Sequence, residues 1–238
     1  MTLLVNFASH DIKNTIHSID GMVSTIDINN VSQMEVDNIK VCLDHVRNTL
    51  KNFSDLNIQQ KNYSDLNNEE SKVKPFELSK LMNSLEILHR PYMDNEKIRF
   101  NIIYSPEDVK KIIVTQDFHS LLFMFNNLMI NSVTALEETT NPEIRIVISQ
   151  INENKSLKFI FSDNGYGIKK ENREKIFTPY FTTKPDGTGV GLTHVKYVLD
   201  SVVLGTINLV DETNENTFTT FDIIIPIENK NETQDTDY

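Results

Sequence analysis

Apolar residues recur in two regular seams at the start of the chain. Ile12, Ile16, Ile19, Val23 and Ile26 are spaced 4, 3, 4, 3, and Val36, Ile39, Leu43, Val46, Leu50 and Phe53 are spaced 3, 4, 3, 4, 3. Both spacings predict helices with a heptad-like apolar stripe. The segment DINNVSQ between them has the Asp, Asn and Ser of a short loop and a helix cap. A helical hairpin is therefore expected over residues 1–60. Two helices cannot bury seams this regular by themselves, whereas a dimer that makes a four-helix bundle can.

The pattern then thins and changes. NIQQKNYSDLNNEESKVK is almost free of apolar residues, so residues 61–74 read as a polar linker. From Pro75, PFELSKLMNSLEILHRPYM reads as an opening turn and an amphipathic helix. IRFNIIY (98–104) alternates as a strand does, and Asp117 to Leu136 reads as a second apolar helix. EIRIVISQI and LKFIFSD predict one strand pair, TINLV and TFTTFDIII another. Helices and strands mix without a strict βαβ rhythm. The expected class is α+β: after the hairpin, an α/β sandwich over 75–228 with one sheet covered by helices on one face. The polar end, 229–238, reads as a disordered tail.

Composition narrows the field. With 238 residues there is room for a sizeable core, and the net charge of -11 argues against a nucleic-acid partner. One cysteine, Cys42, permits no internal disulfide, and no Cys/His group has zinc spacing. No signal peptide is visible, and no apolar run approaches the ~20 residues that span a bilayer. The expectation is a cytoplasmic protein.

The chain has seven glycines, and five of them lie in two clusters: DNGYGI (163–168), which follows a strand, and GTGVGL (187–192), which precedes a helix-like segment. Glycines so placed let backbone N–H groups approach an anion. Neither cluster is a Walker loop or a dinucleotide fingerprint, and alone they read equally well as two turns. In FNNLMINSVTAL, Asn127 and Asn131 lie four apart and so share a helix face. An amide oxygen there suits Mg²⁺, which keeps phosphates and waters around it. The plainer alternative is a pair of solvated or capping amides.

Five motifs now stand in order, and together they resemble those of the sensor histidine kinases of two-component systems. SHDIKN resembles the phosphoacceptor box, NNLMINSVTA the asparagine box, and DNGYGI and GTGVGL the two glycine boxes. IFTPYFTTK (176–184) resembles the phenylalanine box in the lid over the nucleotide. The resemblance runs from Phe7 to about Pro226. It implies a dimerising hairpin that carries the histidine, followed by an ATP-binding domain of the gyrase and histidine-kinase type. It further implies that Asn131 holds Mg²⁺ with Asn127 beside it, and that Asp163 accepts a hydrogen bond from the adenine amino group. Gly165 and Gly167 would let the chain pass close to the adenine. Gly187, Gly189 and Gly191 would support the lid and phosphates. Phe177 and Phe181 would pack the lid, and Lys184 would reach the phosphates. The partners implied are a second copy of the chain and the receiver domain of a response regulator.

Helix geometry sets His10 away from the Ile12 and Ile16 seam, and His17, seven residues on, faces the same way. Exposure does not choose between them; their neighbours do, since Asp11 follows His10 and Ser18 follows His17. A carboxylate that accepts the second imidazole N–H fixes the tautomer for attack on a phosphorus atom. Asn14, three residues past Asp11, completes DIKN, which resembles the pattern family members use to orient a water that dephosphorylates their partner.

Two departures stand out. Thr15 occupies a place where many members have proline, which leaves the usual helix bend in doubt. SVVLGTI replaces the usual His-Gly-Gly after the second glycine box, so a changed loop is expected there. Nine residues precede His10, which leads us to expect input from a separate sensor protein or from a domain that this sequence does not include. Two rival readings differ in chemistry. A hydrolytic ATPase of the same fold needs a glutamate where Asn127 stands. A phosphotransfer or phosphatase scaffold would keep the fold without the kinase step.

Overall fold

The computed structural model describes residues 73–184, 189, 191–210 and 218–228, with Val23, Ser32, Val36, Ile39 and Leu43. The expected phosphoacceptor region, with His10, Asp11 and Asn14, lies outside the described residues, as do Gly187 and the 229–238 tail. The chain divides into two compact units, one of Met1–Lys72 with Glu86–Pro91 and the other of Val73–Leu85 with Tyr92–Tyr238. In the first unit Val23, Val36, Ile39 and Leu43 are helical, and the Val36 N–H donates to the Ser32 carbonyl at 3.3 Å. Val23 and Leu43, both seam positions, are 52% and 48% exposed.

The second unit is built on a five-stranded sheet. In chain order the elements are β1 (Phe76–Glu77), α1 (Leu78–Asn95, whose stretch Glu86–Pro91 is counted with the first unit), β2 (Arg99–Ser105), a 3₁₀ turn (Glu107–Lys111) and β3 (Ile113–Val114). There follow α2 (Phe118–Ala135), β4 (Glu143–Ile151), β5 (Ser156–Asp163) and a 3₁₀ turn (Lys170–Asn172). The last are α3 (Gly191–Tyr197), a π turn (Val198–Val203), β6 (Thr206–Leu209) and β7 (Thr219–Pro226).

The sheet order is β2-β4-β5-β7-β6, with β2 and β4 parallel and the other neighbours antiparallel. The expected hairpins β4–β5 and β6–β7 are present. The parallel pair, whose strands α2 connects, was not anticipated. Neither was the small sheet β1–β3, in which Phe76 faces Val114. Two-residue strands carry no period for a sequence to display. The main sheet alternates as a half-covered sheet should. Ile144, Ile146, Ile148, Leu157, Phe159, Phe161, Ile223 and Ile225 are all at most 1% exposed, while Arg145, Val147, Lys158, Ile160, Asp222 and Ile224 between them are half-buried.

α2 packs on the buried face through Phe125, whose ring lies 5.0 Å from that of Phe159. It buries Leu121, Leu122, Met124, Phe125, Leu128 and Met129, an i, i+3, i+4, i+7 set. Asp117 caps it by accepting the Ser120 N–H at 2.7 Å. Just before it the fully buried Gln116 donates Nε2 to the Pro226 carbonyl at 3.0 Å, which ties the helix start to the end of β7. α1 continues through Pro91 to Asn95, beyond the Met93 of the expected helix.

The sequence SVVLGTI carries the chain from the helical run into β6. The helical run closes in a π turn, Leu204 takes a left-handed φ of 58°, and the Gly205 N–H donates to the Leu199 carbonyl at 2.8 Å. A Cβ on Gly205 would stand 2.4 Å from the Ile224 carbonyl oxygen and 3.0 Å from Leu199 Cδ2. Gly205→Ala is therefore expected to cost about 1–3 kcal/mol, the usual range for overpacking. Urea unfolding should show a lower midpoint with an unchanged slope.

Candidate functional site

β5 ends at Asp163, and everything around the candidate site is organised by that residue. Its side chain is 3% exposed. Oδ2 accepts the Ser132 hydroxyl at 2.7 Å and Oδ1 the Gly165 N–H at 3.0 Å. The Thr219 hydroxyl also bonds the carboxyl, from the position directly across the β5–β7 ladder. Burial pushes the Asp163 carboxyl above its ordinary range; these three hydrogen bonds and the Lys184 charge oppose that rise. A carboxylate accepts about four hydrogen bonds. Three donors hold Asp163 in place and leave one position for a donor from outside the protein.

The segment after Asp163 is fixed by the start of β4 and the end of α2. Asn164 accepts the Glu143 N–H at 2.7 Å through its side chain, and the Tyr166 N–H donates to the Ala135 carbonyl at 3.1 Å. A Cβ on Gly165 would lie 2.6 Å from the Ala135 carbonyl oxygen, so this glycine is required by the end of the helix. Gly167 differs: its φ is +76° and nothing lies within 4 Å of where a Cβ would be. Its bare backbone faces open space, which suits a planar ligand passing close by.

α2 lines the second wall. Asn127 donates Nδ2 to the Phe123 carbonyl at 2.9 Å, and is buried. Asn131 lies one turn on. A Cβ on Gly191, the first residue of α3, would meet Asn127 Oδ1 at 3.2 Å and Asn131 Nδ2 at 3.6 Å. The second glycine box and the asparagine pair are thus brought together across α2 and α3. Gly189, at φ +67°, fits against Tyr180 and Phe181; a Cβ there would be 2.3 Å from the Tyr180 carbonyl carbon. Phe177 packs edge-on to Phe221 at 6.3 Å and its carbonyl accepts the Thr193 hydroxyl at 3.3 Å.

Lys184 reaches across to this wall. Its Nζ lies 3.4 Å from Asn131 Oδ1. Burial draws its pKa below the usual lysine range, while the Glu137 and Asp163 carboxylates act to raise it. Asn131 therefore already faces a cation through its amide oxygen. Among the described residues no group of three His, Cys, Asp or Glu side chains gathers to hold a metal. A single amide oxygen on a glycine-lined wall is the donor set for a metal that arrives on phosphates and keeps its own waters. The residues fit Mg²⁺ in that form.

Thus Asn127, Asn131, Asp163, Gly165, Gly167, Phe177, Lys184, Gly189 and Gly191 converge on one region of the second unit. Ser132 and Thr219 belong to it as well and were not foreseen. Ser132 follows Asn131 directly, yet nothing local says that its hydroxyl turns toward a strand 31 residues away.

Residues 116–229 match the family described as histidine kinase-, DNA gyrase B-, and HSP90-like ATPase. The chain is 34% identical over 110 residues to the sensor protein TdiS of Thauera aromatica, a match covering 45% of this chain and 19% of TdiS. The chain spans about a fifth of the length of the curated relatives it matches. The catalytic domain of histidine kinase ThkA, in a nucleotide-free form, superposes with a TM-score of 0.56 at 27% identity, over 65% of this chain and 95% of that one. ThkA in complex with the response regulator protein TrrA matches with a TM-score of 0.52 over 92% of this chain and 59% of that one. At 21% identity that second likeness speaks for the fold alone. No helix among the described residues is long and apolar enough to cross a membrane.

Proposed function

We infer, from a chain that is a member of the sensor histidine kinase family and carries its ATPase-type domain over residues 116–229, a cytoplasmic, dimeric, ATP-dependent protein-histidine kinase. The observation that carries this reading is Asp163, a buried carboxylate held by Ser132, Gly165 and Thr219 with one acceptor position to spare. The adenine amino group takes that position. Gly167 lets the base lie against bare backbone. Asn127, Asn131 and the second glycine box, with Gly187, Gly189 and Gly191, line the phosphates. Asn131 would hold Mg²⁺, which would supply neutralisation of the phosphate charge.

His10 is the acceptor in this reading. Its imidazole attacks the γ-phosphorus in line, ADP departs, and the second ring N–H is held by the Asp11 carboxylate. The phosphoryl group then passes to an aspartate on the receiver domain of a response regulator, a partner that ThkA also has. Residues 1–60 serve as the dimerising hairpin, 61–74 as linker and 75–228 as the catalytic domain. The DIKN pattern favours a second activity, in which Asn14 orients a water against the phosphorylated regulator.

The test is incubation of the purified chain with γ-labelled Mg-ATP, followed by a receiver domain. Acid-labile, alkali-stable label on the chain, lost to the receiver on addition, is the expected result. Free phosphate released with no labelled protein would replace this reading with a hydrolytic ATPase. Absence of nucleotide binding would leave a phosphotransfer or phosphatase scaffold.

A further inference from the structure

Lys184 is half-buried and rests its ammonium 3.4 Å from Asn131 Oδ1. The Asn131 amide is oriented by its surroundings: Nδ2 faces the glycine at the start of α3, within 3.6 Å of where a Cβ would stand, and Oδ1 faces the lysine. Two carboxylates, Glu137 and Asp163, are close enough to act on the same ammonium. The lysine thus lies in a small negative basin whose centre is a neutral amide oxygen. A lysine head is a compact, strongly hydrated cation on a flexible stem. Two like charges about 4 Å apart repel in proportion to how little water screens them. One oxygen does not serve both.

We propose that the Lys184 ammonium is the resting donor to Asn131 Oδ1, and that a divalent cation reaches this oxygen only by displacing the ammonium. This rests on the proposal that Asn131 is the metal-facing residue, but not on ATP being the substrate. Lys184 becomes a positioning residue that keeps the basin neutral and keeps stray divalent cations off the asparagine. Phosphates add negative charge for the displaced ammonium to meet, so nucleotide and metal together accomplish what metal alone does poorly.

The test uses Mn²⁺ alone, titrated into the nucleotide-free full chain and followed by electron paramagnetic resonance. Lys184→Met should bind Mn²⁺ at least about fivefold more tightly than the parent, within the usual range of a coupling between two sites. Lys184→Arg, which keeps the charge, should stay near the parent. Asn131→Ala added to Lys184→Met should return the affinity to the parent level, since the oxygen is gone. Equal Mn²⁺ affinity in the parent and Lys184→Met would overturn the proposal. So would a tighter Lys184→Met that is indifferent to Asn131→Ala, because the carboxylates alone would then be the site. Melting curves of each variant establish that it is folded. A separate ATP titration of the parent reports on the kinase reading: failure there leaves the Mn²⁺ result to stand or fall by itself.

Discussion

His10→Gln should retain no acid-labile label after incubation with γ-labelled Mg-ATP, while its nucleotide titration matches that of the parent. Glutamine keeps a polar side chain of similar reach but has no ring nitrogen to take a phosphoryl group. The nucleotide residues all lie at 127–219 in the second unit, far along the chain from position 10. Loss of label with intact binding therefore separates acceptor from catalyst. His17→Gln is the matched control, since it faces the same side of the expected helix; it should label as the parent does. Label that survives in His10→Gln and vanishes in His17→Gln would move the acceptor by two turns and leave Asp11 without its role.

Asp163→Asn should weaken ATP binding by about 100-fold, in line with the ~1.5–3 kcal/mol of a hydrogen bond to a charged group. The same substitution should leave the nucleotide-free protein at least as stable near neutral pH. Burial raises the Asp163 pKa in the folded chain. At low pH the group is protonated in both states and costs nothing. As pH rises above the ordinary carboxylate range, the unfolded chain loses its proton first, so stability falls until the folded pKa is passed. Asparagine has the same shape and no charge; its amide can accept the Gly165 N–H and donate to Ser132. The variant's melting temperature should therefore lack that fall with pH. A nucleotide-free Asp163→Asn that melts well below the parent at pH 7 would mean that the ionised carboxylate stabilises the fold. Unchanged ATP affinity would remove Asp163 from the adenine.

Much of this architecture is legible in the chain because its longer elements announce both ends. α2 has a capping Asp117, eighteen residues with an apolar stripe, and Leu136 as its stop. β4 occupies the whole of EIRIVISQI. What stayed hidden is of two kinds. The β1–β3 ladder and the π turn are decided by neighbours rather than by period. Ser132 and Thr219 look like filler because their hydroxyls matter only once β5, β7 and α2 have met around Asp163. Gly165 was legible as a special position, but the demand on it comes from Ala135, a residue of the preceding helix. The glycine signal reported close approach correctly without saying to what.

The order β2-β4-β5-β7-β6 carries a consequence for biosynthesis. Chains emerge from their N-terminal end, and this sheet places a late strand, β7, inside it. Until Thr219–Pro226 have been made, β5 and β6 have no strand between them, and each presents a bare edge of the kind that invites pairing with other chains. Thr219 also brings the third donor to Asp163. A product broken off before this strand would lack both a closed sheet and a finished nucleotide site, so prematurely terminated copies should be inert and prone to clump rather than partly active.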